Sequence, residues 1–390
     1  MSEKYNKLFT PMTLKPGVTL DSRFVLAPMV ANASTKEGFV TSEDLAFMAR
    51  RNQSASLLIT GSANVFPQGN AFGFGLGNED ERYLPGLKSL AQTMKAQGGT
   101  AILQLFHPGR GASYSYEENR LVYAPSSKAF DFLTYPVTEL TTAQIENLIT
   151  AFSQAALRAY QAGFDGVEIH GANHFLLQQF FSKFSNERND RWGGDFERRC
   201  QLTLDVLRAV QAVIAKEATR PFLIGYRLSP EEIHGENIGY LLEDSLLLLE
   251  KVLALDVDYV SISLFGPNGY RKKAEQGKFK GQIINQVIRE KVAGRVPLIV
   301  AGDITSPEKA LDALNYGDLV ALASLAIVEP DFKMKLAENR LVDISLDVTN
   351  RVEDLALAPA FKTKTSILLR NGTITEATVA ALNEGLAKKE

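Results

Sequence analysis

Several apolar runs in this chain end in side chains that can bind charge or donate hydrogen bonds, followed by glycine, proline or serine. One ends Gln104-Leu105-Phe106-His107-Pro108-Gly109-Arg110 and supplies an amide. A second ends Glu168-Ile169-His170-Gly171-Ala172-Asn173 and supplies an imidazole three residues from another amide. A third ends Arg227-Leu228-Ser229-Pro230 and supplies a permanent cation. Two later runs end in small-residue turns, Ala301-Gly302-Asp303 and Ala323-Ser324. Turns of that kind bind phosphate through backbone N–H groups. A guanidinium facing a buried interior calls for an anion, or for a ring that becomes anionic. No carboxylate pair suits glycoside chemistry, and no Ser–His nucleophile arrangement is visible. The four histidines are scattered without H-E-x-x-H spacing, and the one cysteine, Cys200, leaves no C-x-x-C; no metal site is expected.

The elements that must position these residues are short strands alternating with amphipathic helices. The strand expectations are Phe24–Ala27, Ser56–Thr60, Thr100–Phe106, Gly166–His170, Phe222–Arg227, Val257–Ser263, Pro297–Ala301 and Asp318–Leu322. They read as continuous apolar runs, as strands covered on both faces do. Thr141-x-x-Gln144 is a capping box, and Ile145, Leu148, Phe152, Ala156 and Ala159 follow at helical spacing up to Gly163. Phe196, Cys200, Leu207, Val210 and Ile214 mark a second helical face. Ser306-Pro307 opens a third helix that Gly317 is expected to close.

Eight strand–helix units in series predict a (β/α)8 TIM barrel. A doubly wound sheet is the alternative, but the G-x-G-x-x-G turn that usually opens one is absent. The stretch from about 108 to 140 is too long for a plain loop and is expected to form a small cap after the third strand. Residues from about 343 to 390 form a C-terminal extension, helical near Glu376–Lys388. The whole chain, 1–390, therefore reads as one domain. A net charge of -3 argues against a nucleic-acid partner. The polar start Met1–Tyr5 and the lack of a long apolar window argue against a signal peptide or a membrane span, which makes the cytoplasm the expected location.

These residues resemble the Old Yellow Enzyme family of FMN oxidoreductases over roughly residues 5–340. The most specific segment runs from His170-Gly171-Ala172-Asn173 to Ser185-Asn186-Glu187-Arg188-Asn189-Asp190-Arg191-Trp192-Gly193-Gly194. Supporting pieces are Leu26-Ala27-Pro28-Met29, Gln104 with His107 and Gly109-Arg110, Arg227-Leu228-Ser229-Pro230, and Gly317-Asp318-Leu319-Val320-Ala321. The resemblance implies FMN as cofactor and NADH or NADPH as electron donor. It implies that Ala27, Pro28 and Met29 line the flavin, that Gly61 lets the ring approach, and that Gln104 bonds its pyrimidine edge. Arg227 would face the side of the ring that gains charge. Gly302, Asp303, Ala323 and Ser324 would surround the phosphate. His170 and Asn173 would donate to the oxygen of a small acceptor such as an enone, a quinone, a nitro compound or a free flavin.

Three positions depart from the family pattern. Phe175 stands where the family usually has a proton-donating tyrosine, which implies impaired alkene reduction; His174 is one substitute acid. Val30 replaces a threonine or cysteine that bonds the flavin. Ala323-Ser324 replaces Gly-Arg, so an arginine on the phosphate is missing and FMN is expected to be held by backbone N–H groups and more weakly. Beside the flavin enzyme stand two other readings: a non-redox barrel enzyme acting on a phosphorylated metabolite, and a binding protein that has lost catalysis. Gln104 and Arg227 could also form a purely structural polar network. His107 and Arg110 divide evenly between site and cap, whereas Arg188, Asp190 and Trp192 read as structural. Five basic residues in Tyr270–Lys280 either form a solvated loop or attract an anionic reactant. Whether the chain forms a homo-oligomer is left open.

Overall fold

Eight apolar runs form eight parallel strands, because each is too short to be a helix and is covered on both faces. They are β1 (Phe24–Leu26), β2 (Leu57–Ile59), β3 (Thr100–Phe106), β4 (Gly166–Gly171), β5 (Leu223–Leu228), β6 (Tyr259–Ile262), β7 (Leu298–Val300) and β8 (Leu319–Leu322). Each pairs with its sequence neighbour, and β8 pairs with β1, which closes the barrel. This computed structural model describes residues 3–67, 71–372 and 374–388. Met1, Ser2, Gln68, Gly69, Asn70, Thr373, Lys389 and Glu390 lie outside the described residues, so the polar start read at Met1–Tyr5 is described from Glu3 onward. None of the described helices is long and apolar enough to cross a membrane.

The helices around the barrel are α1 (Ser42–Arg51), α2 (Leu84–Lys95), α3 (Thr142–Gln161), α4 (Phe196–Glu217), α5 (Leu242–Leu253), α6 (Ile284–Val292) and α7 (Pro307–Ala313). The Thr141 capping box forms as expected, with Gln144 N–H donating to Thr141 Oγ1 and Thr141 N–H to Gln144 Oε1. Such a cap contributes about 1 kcal/mol. Gly163 follows α3 at φ +92, a left-handed position that suits glycine. Ser306 caps α7 as expected, but that helix stops at Ala313, four residues before Gly317. Gly317 serves packing instead: a Cβ there would meet Val300 Cγ1 at 2.6 Å.

Three additions frame the barrel. An antiparallel hairpin, Met12–Lys15 with Val18–Leu20, plugs the N-terminal end and packs Leu14 and Leu20 with Val25, Leu57, Ile102 and Leu223. The cap after β3 is present, with a helix at Ser113–Asn119 and a short strand pair, Tyr123–Ala124 with Thr138–Glu139. The C-terminal extension forms a 3-10 segment at Pro359–Asn371 and a helix, here α9 after the short α8 (Ser324–Val328), at Glu376–Ala387.

Candidate active site

The barrel interior changes character along its axis. At the N-terminal end it is filled by Val25, Leu57, Ile102, Leu223 and Ile299. Toward the C-terminal end the alternating inward positions turn polar: Gln104 on β3, Glu168 and His170 on β4, Arg227 on β5, then Ser261 and Ser263. Strand register sets Gln104 opposite Glu168, His170 opposite Arg227, and Arg227 opposite Ser261. Gly225 has no side chain where the Tyr259 ring crosses the interior, and a Cβ there would overlap that ring.

These groups form two hydrogen-bonded chains that lie side by side. Ser62 Oγ donates to Gln104 Oε1 at 2.6 Å, and Gln104 Nε2 donates to Glu168 Oε1 at 2.6 Å. Arg227 donates to Ser261 Oγ at 3.3 Å and to Ser263 Oγ at 3.1 Å. Ser263 Oγ in turn donates to Asn173 Oδ1 at 2.7 Å. Burial pushes Glu168 above the usual carboxylate range, although the Arg227 charge pulls the other way, and burial lowers Arg227 against the pull of Glu168. Arg227 Nε is buried without a hydrogen-bond partner. Buried polar atoms are rarely left so, and this one marks where a polar ligand would be accommodated.

His170 and Asn173 present two donors side by side. His170 is 2% exposed, and burial first, then Arg227, holds it well below the ordinary histidine range, so the ring is neutral. Its Nδ1 accepts from Ala172 N–H at 3.2 Å, which leaves the ring proton on Nε2. Asn173 Oδ1 is occupied by Ser263, so its Nδ2 is the free end. Nε2 and Nδ2 lie 3.4 Å apart. Two donors cannot satisfy each other, but together they suit one incoming oxygen. Asn173 and His174 sit at φ +58 and +61, which turns the chain sharply after β4, and Ser229 Oγ anchors Asn173 N–H at 3.0 Å.

Hydrocarbon lies beside this pair. The Phe175 ring stands edge-on to His170 at 5.1 Å and to Phe106 at 5.0 Å, and Phe72 stacks on Phe106 at 6.1 Å. The turn after β1 and the turn after β2 touch directly: a Cβ on Gly61 would meet Met29 O at 2.6 Å. The first demand on Gly61 is thus close packing against the chain itself. A cavity lined by Met29, Val30, Thr60, Gly61, Ser62 and Gly75 flanks this contact without reaching Gln104, Arg227 or His170.

At β7 the space beside Gly302 is filled by Gly269, which a Cβ on Gly302 would meet at 2.8 Å. The Asp303 carboxylate accepts from Asn268 N–H at 2.9 Å and from Lys309 Nζ at 2.6 Å, which brings a cation next to the β7 turn. Ala323 and Ser324 lead into α8, and Ser324 is buried.

Other candidate residues fall outside this cluster. Arg110 is buried against the cap, donating to Ser185 Oγ and lying 4.9 Å from the Phe130 ring. Burial lowers His107 to about 3, and its Nδ1 accepts from Gly109 N–H. Arg188 ties the loop after β4 to the cap through Pro125 O and Leu140 O and pairs with Asp190 within the loop, and Trp192 Nε1 donates to Asp205, as their structural reading requires. Cys200 is buried on α4, and burial raises its thiol to about 12, so it stays a thiol. In the basic loop, Arg271 pairs with Asp312 at 2.6 Å and Lys272 with Glu275 at 2.9 Å. Neutralising Lys272 and Lys273 together is expected to leave KM for NADH and NADPH within about twofold, because exposed paired charges contribute little. Steady-state kinetics of the double variant checks this.

Linear spacing concealed two groupings. Glu168, Ser261 and Ser263 join the site only through barrel register; polar residues at alternate positions of otherwise apolar strands were the available signal. His174, Glu232 and His234 also converge, with side-chain nitrogen and oxygen atoms within 4.8 Å of one another. Glu232 Oε2 accepts from Gln178, and Arg110 lies 3.7 Å from Oε1. Burial would raise this carboxyl, yet His174, His234 and Arg110 hold it down to about 2. A carboxyl depressed below its unfolded value of about 4.3 stabilises the fold above that pH, and the contribution is lost as pH falls toward about 2. The urea midpoint of wild type is expected to exceed that of Glu232→Gln near neutrality and to converge with it below about pH 4.

Comparison with known proteins is consistent with this geometry. Residues 7–343 match the NADH:flavin oxidoreductase / NADH oxidase family. An uncharacterized oxidoreductase of Streptococcus pyogenes is 43% identical over 87% of this chain and 86% of its own length. A probable NADH-dependent flavin oxidoreductase of Bacillus subtilis is 38% identical over 87% of this chain and 90% of its own. Morphinone reductase in complex with tetrahydroNAD superimposes with a TM-score of 0.71 at 25% identity, covering 85% of this chain and 90% of that one. With the closed barrel and the polar ring of side chains at its C-terminal end, these matches show that the chain belongs to the NADH:flavin oxidoreductase / NADH oxidase family, NAD(P)H-dependent FMN enzymes of Old Yellow Enzyme type.

Proposed function

We propose that this enzyme passes electrons from NADH or NADPH, by way of FMN, to a small acceptor whose oxygen is held by His170 and Asn173. The observation that carries this reading is the donor pair itself: two N–H groups, 3.4 Å apart, whose other polar ends are already occupied. When bound, FMN supplies the chemistry of accepting and giving hydride. The residues fit such a group, because Arg227 keeps a buried, unpartnered Nε at the C-terminal end of the barrel. Its fixed charge stabilises negative charge that builds up on a reduced ring. Gln104, which Ser62 and Glu168 hold in place, is assigned to the pyrimidine edge of the ring, and Ala27, Pro28, Met29 and Gly61 are assigned to the wall beside it. Gly302, Asp303, Ala323 and Ser324 are assigned to the phosphate, with Lys309 the cation that Asp303 brings to that turn.

The acceptor preference follows from Phe175. A carbon–carbon double bond needs a proton delivered to carbon, and the ring beside His170 has none to give. Quinones, nitro compounds and free flavins need no such donor and are the favoured acceptors. His174 Nδ1 lies 3.4 Å from Gln178 Nε2 and 3.9 Å from the Glu232 carboxylate, which argues for its role in that network over that of a substitute acid.

The deciding experiment is the absorbance spectrum of the purified protein before and after addition of NADH or NADPH without oxygen. Flavin bands that bleach with the nicotinamide are the expected result. A colourless protein that stays colourless after incubation with excess FMN would overturn the reading and return the non-redox barrel enzyme to first place.

A further inference from the structure

The C-terminal extension reaches the mouth of the barrel. Its 3-10 segment is anchored by Phe361 and Leu368, which are buried in the main core, and by Thr365 Oγ1 donating to Asn383 Oδ1 of α9 at 2.8 Å. From that anchor it touches the loop that follows Met29 and Val30. Asn32 Nδ2 donates to Thr363 Oγ1 at 3.0 Å and to Ala360 O at 3.5 Å. The next residue, Lys364, lays its ammonium 4.8 Å from the centre of the Phe72 ring. Phe72 in turn meets Phe106 and Phe175, the two rings that wall the His170–Asn173 donor pair.

The ammonium is half-buried, and among the described residues no carboxylate pairs with it. Burial lowers its pKa, and no neighbouring anion opposes that shift. The Phe72 face offsets part of the cost of desolvating the ammonium, and an anion would complete the site. Other lysines that approach the body of the protein are matched: Lys309 by Asp303, Lys335 by Glu329 and Lys333 by Asp21. Among the described residues Lys364 differs from these, and the ring it faces packs on the two that wall the donor pair.

We propose that Lys364 is an anion-binding residue of this site, holding the carboxylate or phosphate of a reactant while its reacting end lies at His170 and Asn173. The inference rests on the proposed function for the identity of the reactants, though not for the binding of an anion. A carboxylate on an acceptor and a phosphate on the nicotinamide share the required chemistry. Lys364 contributes a charge-assisted hydrogen bond from a backbone segment that Thr363 pins to the β1 loop.

Equilibrium titration calorimetry on the oxidised, FMN-loaded full chain tests this without any turnover. The probes are 4-nitrobenzoate, its neutral counterpart 4-nitrobenzamide, and NAD+. Lys364→Met is expected to weaken 4-nitrobenzoate by about tenfold or more while leaving 4-nitrobenzamide within about twofold, and Lys364→Arg to restore the charged ligand. If NAD+ is the ligand weakened and the two nitro compounds are not distinguished, the anion is the coenzyme phosphate. Equal weakening of charged and neutral probes would mean that Lys364 only supports the loop, and an unchanged affinity for both 4-nitrobenzoate and NAD+ would mean that it binds no reactant; either result overturns the proposal. Failure of NADH to bleach the wild-type flavin would count against the redox reading and leave these affinities interpretable.

Discussion

Phe175→Tyr is expected to raise the turnover of a conjugated enone by about a hundredfold or more, the usual scale of a well-placed general acid. Reduction of the flavin by NADH should stay unchanged, because that step calls for no proton delivered to carbon. The Phe175 ring already sits 5.1 Å from His170 and 5.0 Å from Phe106, so the substitution adds one hydroxyl to a ring that is otherwise in place. A Cβ on Gly111 would come no closer than 3.6 Å to that ring, which leaves room for small adjustment. The measurement is a pair of rates under anaerobic conditions: nicotinamide added to oxidised enzyme, then cyclohexenone added to reduced enzyme. A rise confined to the second rate is the expected result. If wild type already reduces cyclohexenone as fast as it reduces a quinone, another residue supplies the proton and the role given to Phe175 is wrong.

The second large effect concerns Arg227. Arg227→Met is expected to slow reduction of the flavin by about a hundredfold or more, the cost of removing a preorganised charge from a reacting centre. It should also destabilise the fold by about 3–5 kcal/mol, because Glu168 is left buried without its countercharge. These consequences can be separated. Glu168→Gln combined with Arg227→Met removes both charges and should recover most of the stability, read from urea unfolding, while the reduction rate stays low. Recovery of both would mean that Arg227 serves only the polar network of the barrel. Loss of Arg227 also frees Ser263, whose hydroxyl fixes the Asn173 amide, so acceptor affinity should fall as well. Asn173→Ala alone should lower acceptor affinity while the Arg227 charge stays in place, which distinguishes the positioning effect from the charge effect.

The legible part of this protein was the part governed by local rules. Strand β3 has the bounds that its apolar run predicts, and the others shift by one or two residues at their ends, where hydrogen bonding across the barrel decides which residue pairs last. The caps at Thr141 and Ser306 depend on side chains three residues from the groups they bond, and both form as read. Gly317 shows the limit: a glycine after a helical run suggests a cap, but what it does depends on Val300, a residue of another strand. The N-terminal hairpin went unread because its alternation covers only a few residues, and its apolar face finds its partners inside the barrel.

The site divides in the same way. His170, Asn173, Gln104 and Arg227 were visible because each stands at the end of an apolar strand, where barrels place their chemistry. The sequence alone could not say that Ser263 joins Arg227 to Asn173, because that link depends on the register of β5 against β6. Nor could it say that Glu168 lies buried among these groups, since a lone carboxylate in an apolar run looks the same whether it faces inward or outward. Least legible was the extension. Thr363 meets Asn32 across 331 residues of chain, and no period or spacing encodes a contact of that range. Amino-acid types and spacing determined the strands, the caps and the chemistry available at each strand end. Closure of the barrel and docking of the extension decided which of those groups meet, because hydrogen bonds and desolvation depend on distances that only the folded chain sets.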